Sequence, residues 1–181
     1  AMGCPDQGHA PHDMEISLPW SGLAEYGQTG FRFVRIDLLD EEIPLELVEF
    51  RAVELFRDLP WRGRFESNDA RLNEIWRVGA RTVHLNIQEY VWDGIKRDRL
   101  VWMGDLFPEA KIIGSLFGKV DAVERSMDYL RDRTPLPNWI NGISTYSLWW
   151  ILTQKEWYLH FGDKGYLALQ AGYMKDLVSI L

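Results

Sequence analysis

The chain has 181 residues, of which 46% are hydrophobic and 26% are charged, so it can form a packed core of ordinary size. Its formal net charge of −7 gives no electrostatic reason to bind nucleic acid or a membrane surface, and no apolar run is long enough to span a bilayer. The one cysteine, Cys4, excludes an internal disulfide.

The N-terminal part of the chain, residues 1–64, has the pattern of β-structure. Segment 31–39 alternates in polarity, with Phe31 and Phe33 on one side of the predicted strand. Segment 45–56 is also rich in residues that favour strands, and a helix is the alternative there. The two-residue period predicts antiparallel strands with one covered face.

From residue 65 onward the pattern is helical. Ser67 and Asn68 are candidate caps of the first helix, and Asp69 is expected in its first turn, where the helix dipole favours an anion. A buried stripe is predicted from residues spaced three and four apart: Leu72, Ile75, Trp76, Gly79, Val83, Asn86, Ile87 and Tyr90. Further helices are predicted at about 105–117, 120–132, 145–161 and 163–180.

The stretch DGIKRDRLVWMGD, residues 93–105, concentrates three aspartates and three basic residues. Gly94 and Gly104 disfavour a continuous helix, so we expect a loop between two helices. Crowding and burial both raise the pKa of a carboxyl group, which lets neighbouring acids take opposite protonation states. Glycoside hydrolysis needs that division between a proton donor and ionised groups. The alternative is a solvated loop held by weak ion pairs.

The same stretch resembles the signature of the α-L-rhamnosidases of glycoside hydrolase family 78. That signature reads roughly Asp-Cys-Pro-x-Arg, then an acid, then Arg-x-Gly-Trp-x-Gly-Asp. The likeness extends to the segments GFRFVRID and FESNDARLNEIWRVGARTV, so it covers residues 28–181. It implies a mainly α chain, in which residues 1–64 end a β-sandwich and residues 65–181 form the first half of an (α/α)6 six-hairpin barrel.

The resemblance also implies the activity and the site. The expected enzyme is an inverting glycosidase that removes terminal α-L-rhamnosyl residues from oligosaccharides, polysaccharides or glycosides. Asp98 takes the position of the general acid. The substrate-binding positions are Asp93, Arg97, Trp102, Asp105, Trp139 and Asn141. The partner is a carbohydrate, and neither a metal nor an organic cofactor is expected, because the reaction is proton transfer around an oxocarbenium-like state.

The predicted site differs from the family pattern at three places. Asp98 replaces a glutamate and is one methylene shorter, and Gly94-Ile95 replaces Cys-Pro. The segment PNWINGIS offers Asn141 and lacks the aspartate of the family's Gly-Trp-Gly-Asp segment. These changes keep a rival open, namely a sugar-binding or structural module without catalysis. Another open reading is a hairpin-barrel glycosidase for a different sugar.

The number of helices is also smaller than a whole barrel needs. Six hairpins require about twelve helices, and five are predicted. The resemblance implies a catalytic base in the later half of the barrel, beyond Leu181, and we expect the remainder of the barrel in the same protein or a second copy of the chain against the open face. Glu109, which follows Pro108 near a helix start, is predicted to be a partner of the helix dipole.

Overall fold

Five α-helices account for most of the C-terminal two thirds of the protein. The computed structural model describes residues 15, 17, 22–27, 29–39, 42, 44–96 and 98–180. The helices are α1 (Ala70–Asn86), α2 (Met103–Leu116), α3 (Asp121–Asp132), α4 (Ser144–Phe161) and α5 (Lys164–Ser179), and a 3₁₀ turn covers Ile140–Gly142. These bounds confirm the mainly α prediction. Among the described helices, none is both long and apolar enough to cross a membrane.

The segment before the helices has neither helix nor strand in its described parts. This holds for 29–39 and for 44–64, so the alternative helix through 45–56 does not form. Because a strand exists only through hydrogen bonds to a neighbouring strand, an alternating pattern alone cannot show one. The assignment of residues 1–64 to the end of a β-sandwich therefore stays a prediction.

Helix α1 begins at a cap supplied by Asp69. The Asp69 carboxylate accepts hydrogen bonds from the backbone N–H groups of Arg71, at 2.8 Å, and Leu72, at 3.4 Å. Asp69 is thus the N-cap itself, not a residue of the first turn as predicted. The buried stripe is correct only in the second half of the helix. Val83 and Asn86 are buried, whereas the predicted stripe residues Leu72, Ile75 and Gly79 are exposed.

The chain just before α1 is held against α1 and α2. The His84 ring on α1 makes a 2.7 Å hydrogen bond to the carbonyl of Arg57, and Trp61 packs edge-on against both His84 and Phe117. The N–H groups of the next two residues, 62 and 63, donate to the carbonyl of Leu116. Since the last carbonyls of a helix lack partners within it, this segment satisfies the C-terminal end of α2.

The core lies where α2 packs against α4, with α1 and α3 beside it. Trp150 on α4 is fully buried, and its indole N–H donates to the carbonyl of Met127 on α3 at 3.0 Å. Gly162 ends α4 in the left-handed conformation, with φ of 67°, and the side chain of Asp163 caps α5. The α4–α5 hairpin is therefore fixed by a glycine stop and an aspartate cap.

Gly104 lies inside the first turn of α2, although the sequence indicated that it would disfavour a helix there. A Cβ atom at this position would lie 2.6 Å from the Tyr146 hydroxyl oxygen, so the glycine allows α4 to approach α2 closely. Gly79, in α1, is the contrasting case, because a Cβ atom there would meet nothing within 4 Å.

We expect the same substitution to have opposite effects at these two glycines. Gly79→Ala should stabilise the protein by about 0.5–1 kcal/mol, because alanine is the better helix former. Gly104→Ala should destabilise it by about 1–2 kcal/mol, because displacing Tyr146 outweighs that gain. Urea unfolding of both variants measures the difference, and a Gly104→Ala protein as stable as Gly79→Ala would contradict the close packing.

Candidate functional site

The loop between α1 and α2, residues 87–102, is closed by a pair of hydrogen bonds near its middle. The backbone N–H of Asp93 donates to the carbonyl of Leu100 at 3.1 Å, and the N–H of Leu100 donates to the Asp93 carboxylate at 2.9 Å. Between them, Asp98 and Arg99 have φ of 47° and 50°, in the left-handed region that residues other than glycine rarely adopt. Arg97 lies outside the described residues.

Asn141 holds the end of this α1–α2 loop. Its side-chain oxygen accepts from the N–H of Met103 at 3.0 Å, and its amide N–H donates to the carbonyl of Val101 at 3.0 Å. The two bonds bracket Trp102. The amide keeps one N–H and one lone pair, so direct binding of a sugar hydroxyl by Asn141 stays a prediction.

Two tryptophans of the predicted site are half-buried. Trp102 stands at the start of α2 and meets Tyr146 edge-on, with ring centroids 6.4 Å apart. Its indole N–H is buried and has no acceptor among the described residues. Trp139, just before the 3₁₀ turn, packs against the edge of the core. Stacking of a sugar ring on either indole stays a prediction.

Four carboxyl groups interact where the α1–α2 loop meets α2, and we call them the carboxylate cluster: Asp93, Asp98, Asp105 and Glu109. Burial raises the pKa of Asp93, and repulsion from Asp98 and Asp105 raises it further, against the lowering effect of the Leu100 N–H. Burial also raises the pKa of Asp105, and repulsion from Asp98 acts in the same direction. The loop thus brings together the three aspartates of the sequence motif.

Glu109 is the most deeply buried member of the carboxylate cluster, with 8% of its surface exposed. Burial, with repulsion from Asp105 and Asp93, raises its pKa to about 7 even though a hydrogen bond from Asn86 opposes the shift. The Asn86 amide donates to one Glu109 oxygen at 2.9 Å, and the other oxygen is buried with no partner in the described part of the chain.

The prediction of Glu109 as a partner of the helix dipole did not anticipate this burial. Glu109 lies in the second turn of α2 and faces the α1 side of the core. A signal for it was present in the sequence: Asp105 and Glu109 are four residues apart, which puts both on one face of a helix. Asn86, its hydrogen-bond donor, belonged to the predicted buried stripe of α1.

The carboxylate cluster is not a metal-binding arrangement. Among the residues that the structure describes, no three His, Cys, Asp or Glu side chains are close enough to hold one metal ion. A hollow of about 100 Å³ between α2 and α4 is lined by Phe107, Lys111, Glu156, His160 and neighbouring residues, and by no member of the cluster. The cluster therefore lies on the other side of α2 from this hollow.

Comparison with known families identifies the helical region. Residues 60–181 match the family model described as the bacterial alpha-L-rhamnosidase 6 hairpin glycosidase domain. The matched range contains all five helices, the α1–α2 loop and the whole carboxylate cluster. No curated protein matches the chain. The predicted boundary between a β-sandwich and the helical domain, placed between residues 64 and 65, stays a prediction.

The raised pKa of Glu109 predicts how stability changes with pH. Its pKa is about 7 in the folded protein against an ordinary 4.5, so the folded state holds this proton more tightly than the unfolded chain. The resulting stabilisation is full below pH 4.5 and is lost as the pH rises through about 7. A shift of this size corresponds to about 3 kcal/mol.

Glu109→Gln mimics the protonated side chain at every pH. We expect this variant to match the wild type at about pH 4 and to exceed it by up to about 3 kcal/mol at about pH 8.5. Guanidinium unfolding at both pH values measures the difference. Glu89→Gln, the same change at an exposed residue, is the control for removing a charge. An equal gap at both pH values would show that folding does not raise the pKa of Glu109.

Proposed function

The chain belongs to the family of bacterial α-L-rhamnosidase six-hairpin glycosidase domains, and we propose that the protein removes terminal α-L-rhamnosyl residues from oligosaccharides, polysaccharides or glycosides with inversion of configuration. The observation that carries the proposal is the carboxylate cluster in the α1–α2 loop and the first turns of α2. Its members repel one another at the position where the family resemblance expects the acid and the sugar site. No cofactor is needed for this reaction.

Asp98 is the proposed general acid. It would protonate the glycosidic oxygen while the bond to the sugar's anomeric carbon breaks, so the leaving group departs as a neutral alcohol. A second carboxylate, expected later in the barrel than Leu181, would take a proton from the water that attacks the opposite face. In inverting enzymes the two carboxyl groups stand about 6.5–9.5 Å apart, which leaves room for that water.

The proposed sugar subsite consists of Asp93, Asp105, Trp102 and Arg97, with Trp139 and Asn141 at its edge. Ionised carboxylates accept hydrogen bonds from sugar hydroxyls and stabilise the positive charge that develops at the anomeric carbon. An uncharged sugar suits this surface, because a carboxylated sugar would be repelled. Trp102 offers an apolar face to the C–H side of the ring, and Arg97 enters on the family resemblance alone.

The acid assignment is tested by Asp98→Asn in the full-length protein. Asparagine adopts positive φ more readily than most residues, so the loop should keep its shape. We expect kcat/KM for a disaccharide rhamnoside to fall by about 10²–10⁴-fold. The loss for a nitrophenyl rhamnoside should be smaller, because nitrophenolate departs without being protonated.

The control is Asp176→Asn, the same change at an exposed residue on α5, which should keep wild-type rates. Circular dichroism and thermal unfolding confirm that both variants fold. An Asp98→Asn enzyme with wild-type turnover, or with equal losses on both leaving groups, would remove Asp98 as the acid.

A panel of nitrophenyl glycosides tests the substrate. We expect hydrolysis of the α-L-rhamnoside and slower or no hydrolysis of glucosides, galactosides and uronides. The anomer released first, followed by proton NMR, should be opposite in configuration to the substrate. Rhamnose binding without hydrolysis would favour the non-catalytic module, and preferred hydrolysis of another glycoside would favour a different sugar specificity.

A further inference from the structure

We propose that Glu109 is a positioning residue of the sugar site, which is protonated below neutral pH inside α2 and thereby lets Asp93 and Asp105 remain ionised to accept sugar hydroxyls. The inference rests on the proposed function, because it takes the ligand of the site to be an uncharged sugar. Neither the family match nor the sequence motif assigns a role to this residue.

The hydrogen bonds around Glu109 fit a neutral carboxyl group. One oxygen accepts from the Asn86 amide at 2.9 Å, which a protonated carboxyl can do through its carbonyl oxygen. The other oxygen is buried and has no donor among the described groups. An ionised carboxylate would leave that oxygen charged, desolvated and unpaired, which is costly, whereas a protonated oxygen carries no charge.

The neighbours of Glu109 also favour its neutral form. The groups that act on it electrostatically are Asp105 on its own helix and Asp93 in the α1–α2 loop, and α1 faces it with the neutral amide of Asn86. Repulsion among such acids is relieved when one of them binds a proton, and the most buried acid binds it most tightly. Glu109 therefore takes the proton, and the two more exposed aspartates keep their charge.

A line of contacts connects Glu109 to the start of the motif. Asn86, which donates to Glu109, also accepts the backbone N–H of Trp92 through its own carbonyl at 3.0 Å. Trp92 directly precedes Asp93, whose N–H and carboxylate close the loop on Leu100. Ionisation of Glu109 would add repulsion against Asp93 at the point where the α1–α2 loop is anchored. The compact arrangement that holds the sugar would then rise in free energy.

The activity test compares the pH dependence of KM in the wild type and in Glu109→Gln. For a nitrophenyl α-L-rhamnoside, wild-type KM should rise by up to about tenfold between about pH 5.5 and about pH 8.5. In the Gln variant KM should stay low across this range, because the side chain cannot ionise. A role in folding alone would change the amount of active enzyme and would leave the pH dependence of KM as it is.

The exposed Glu89→Gln is the matched control and should reproduce the wild-type KM profile. If Glu109→Gln and the wild type have the same profile, the proposal is overturned. If a wild-type protein hydrolyses no rhamnoside at all, the proposed function fails, and the role of Glu109 is then decided by a measurement that needs no activity.

That measurement is carboxyl ¹³C NMR titration of the protein. Glu109 should titrate near neutrality in the wild type, and Asp93 and Asp105 should keep the same midpoints in Glu109→Gln, because their neighbour is neutral in both proteins. If Glu109 were ionised, its replacement would remove a negative charge and lower both aspartate midpoints. That result would overturn the proposal, and so would titration of wild-type Glu109 in the ordinary glutamate range, which can be measured even if the Gln variant fails to fold.

Discussion

Like charges placed close together in a half-buried position repel one another, and the α1–α2 loop keeps its shape against that repulsion. The Asp93–Leu100 hydrogen bonds close the loop at its middle, and the Asn141 amide holds its end through the backbone on both sides of Trp102. Asp98 lies within the segment that the Asp93–Leu100 bonds close, in a backbone conformation that is unfavourable without support. The loop is thus held by its neighbours against the repulsion among its own carboxyl groups.

Helix α2 connects this loop to the core, so the site and the packing are not independent. One face of α2 carries Asp105 and Glu109, and the start of the helix packs against Tyr146 of α4 at Gly104. A protein interior is close-packed, so a small displacement of α2 by its neighbour is transmitted along the helix. We therefore expect substitutions at Gly104 or Tyr146 to affect the carboxyl groups of α2 without contacting them.

The sequence was sufficient for the parts of the protein that depend on local pattern. The bounds of α2 to α5 lie within two residues of those predicted, because caps, glycine stops and apolar periodicity are local signals. The predicted burial of the first half of α1 was wrong, because periodicity shows which face of a helix is apolar and not whether another element covers that face. Glu109 was missed for a related reason, because its burial depends on how α1 and α2 meet, and a position near a helix start indicated only the dipole.

Solvent access separates Glu109 from the other members of the carboxylate cluster. A general acid gives up its proton in every turnover and must regain one from water, so it needs a route to solvent. Asp98 is half-exposed in the α1–α2 loop, whereas Glu109 is 8% exposed and its free oxygen is buried. A proton on Glu109 would therefore exchange only when the packing opens, and it suits a fixed electrostatic role. Burial therefore suits Glu109 to hold a proton and not to donate one in each turnover.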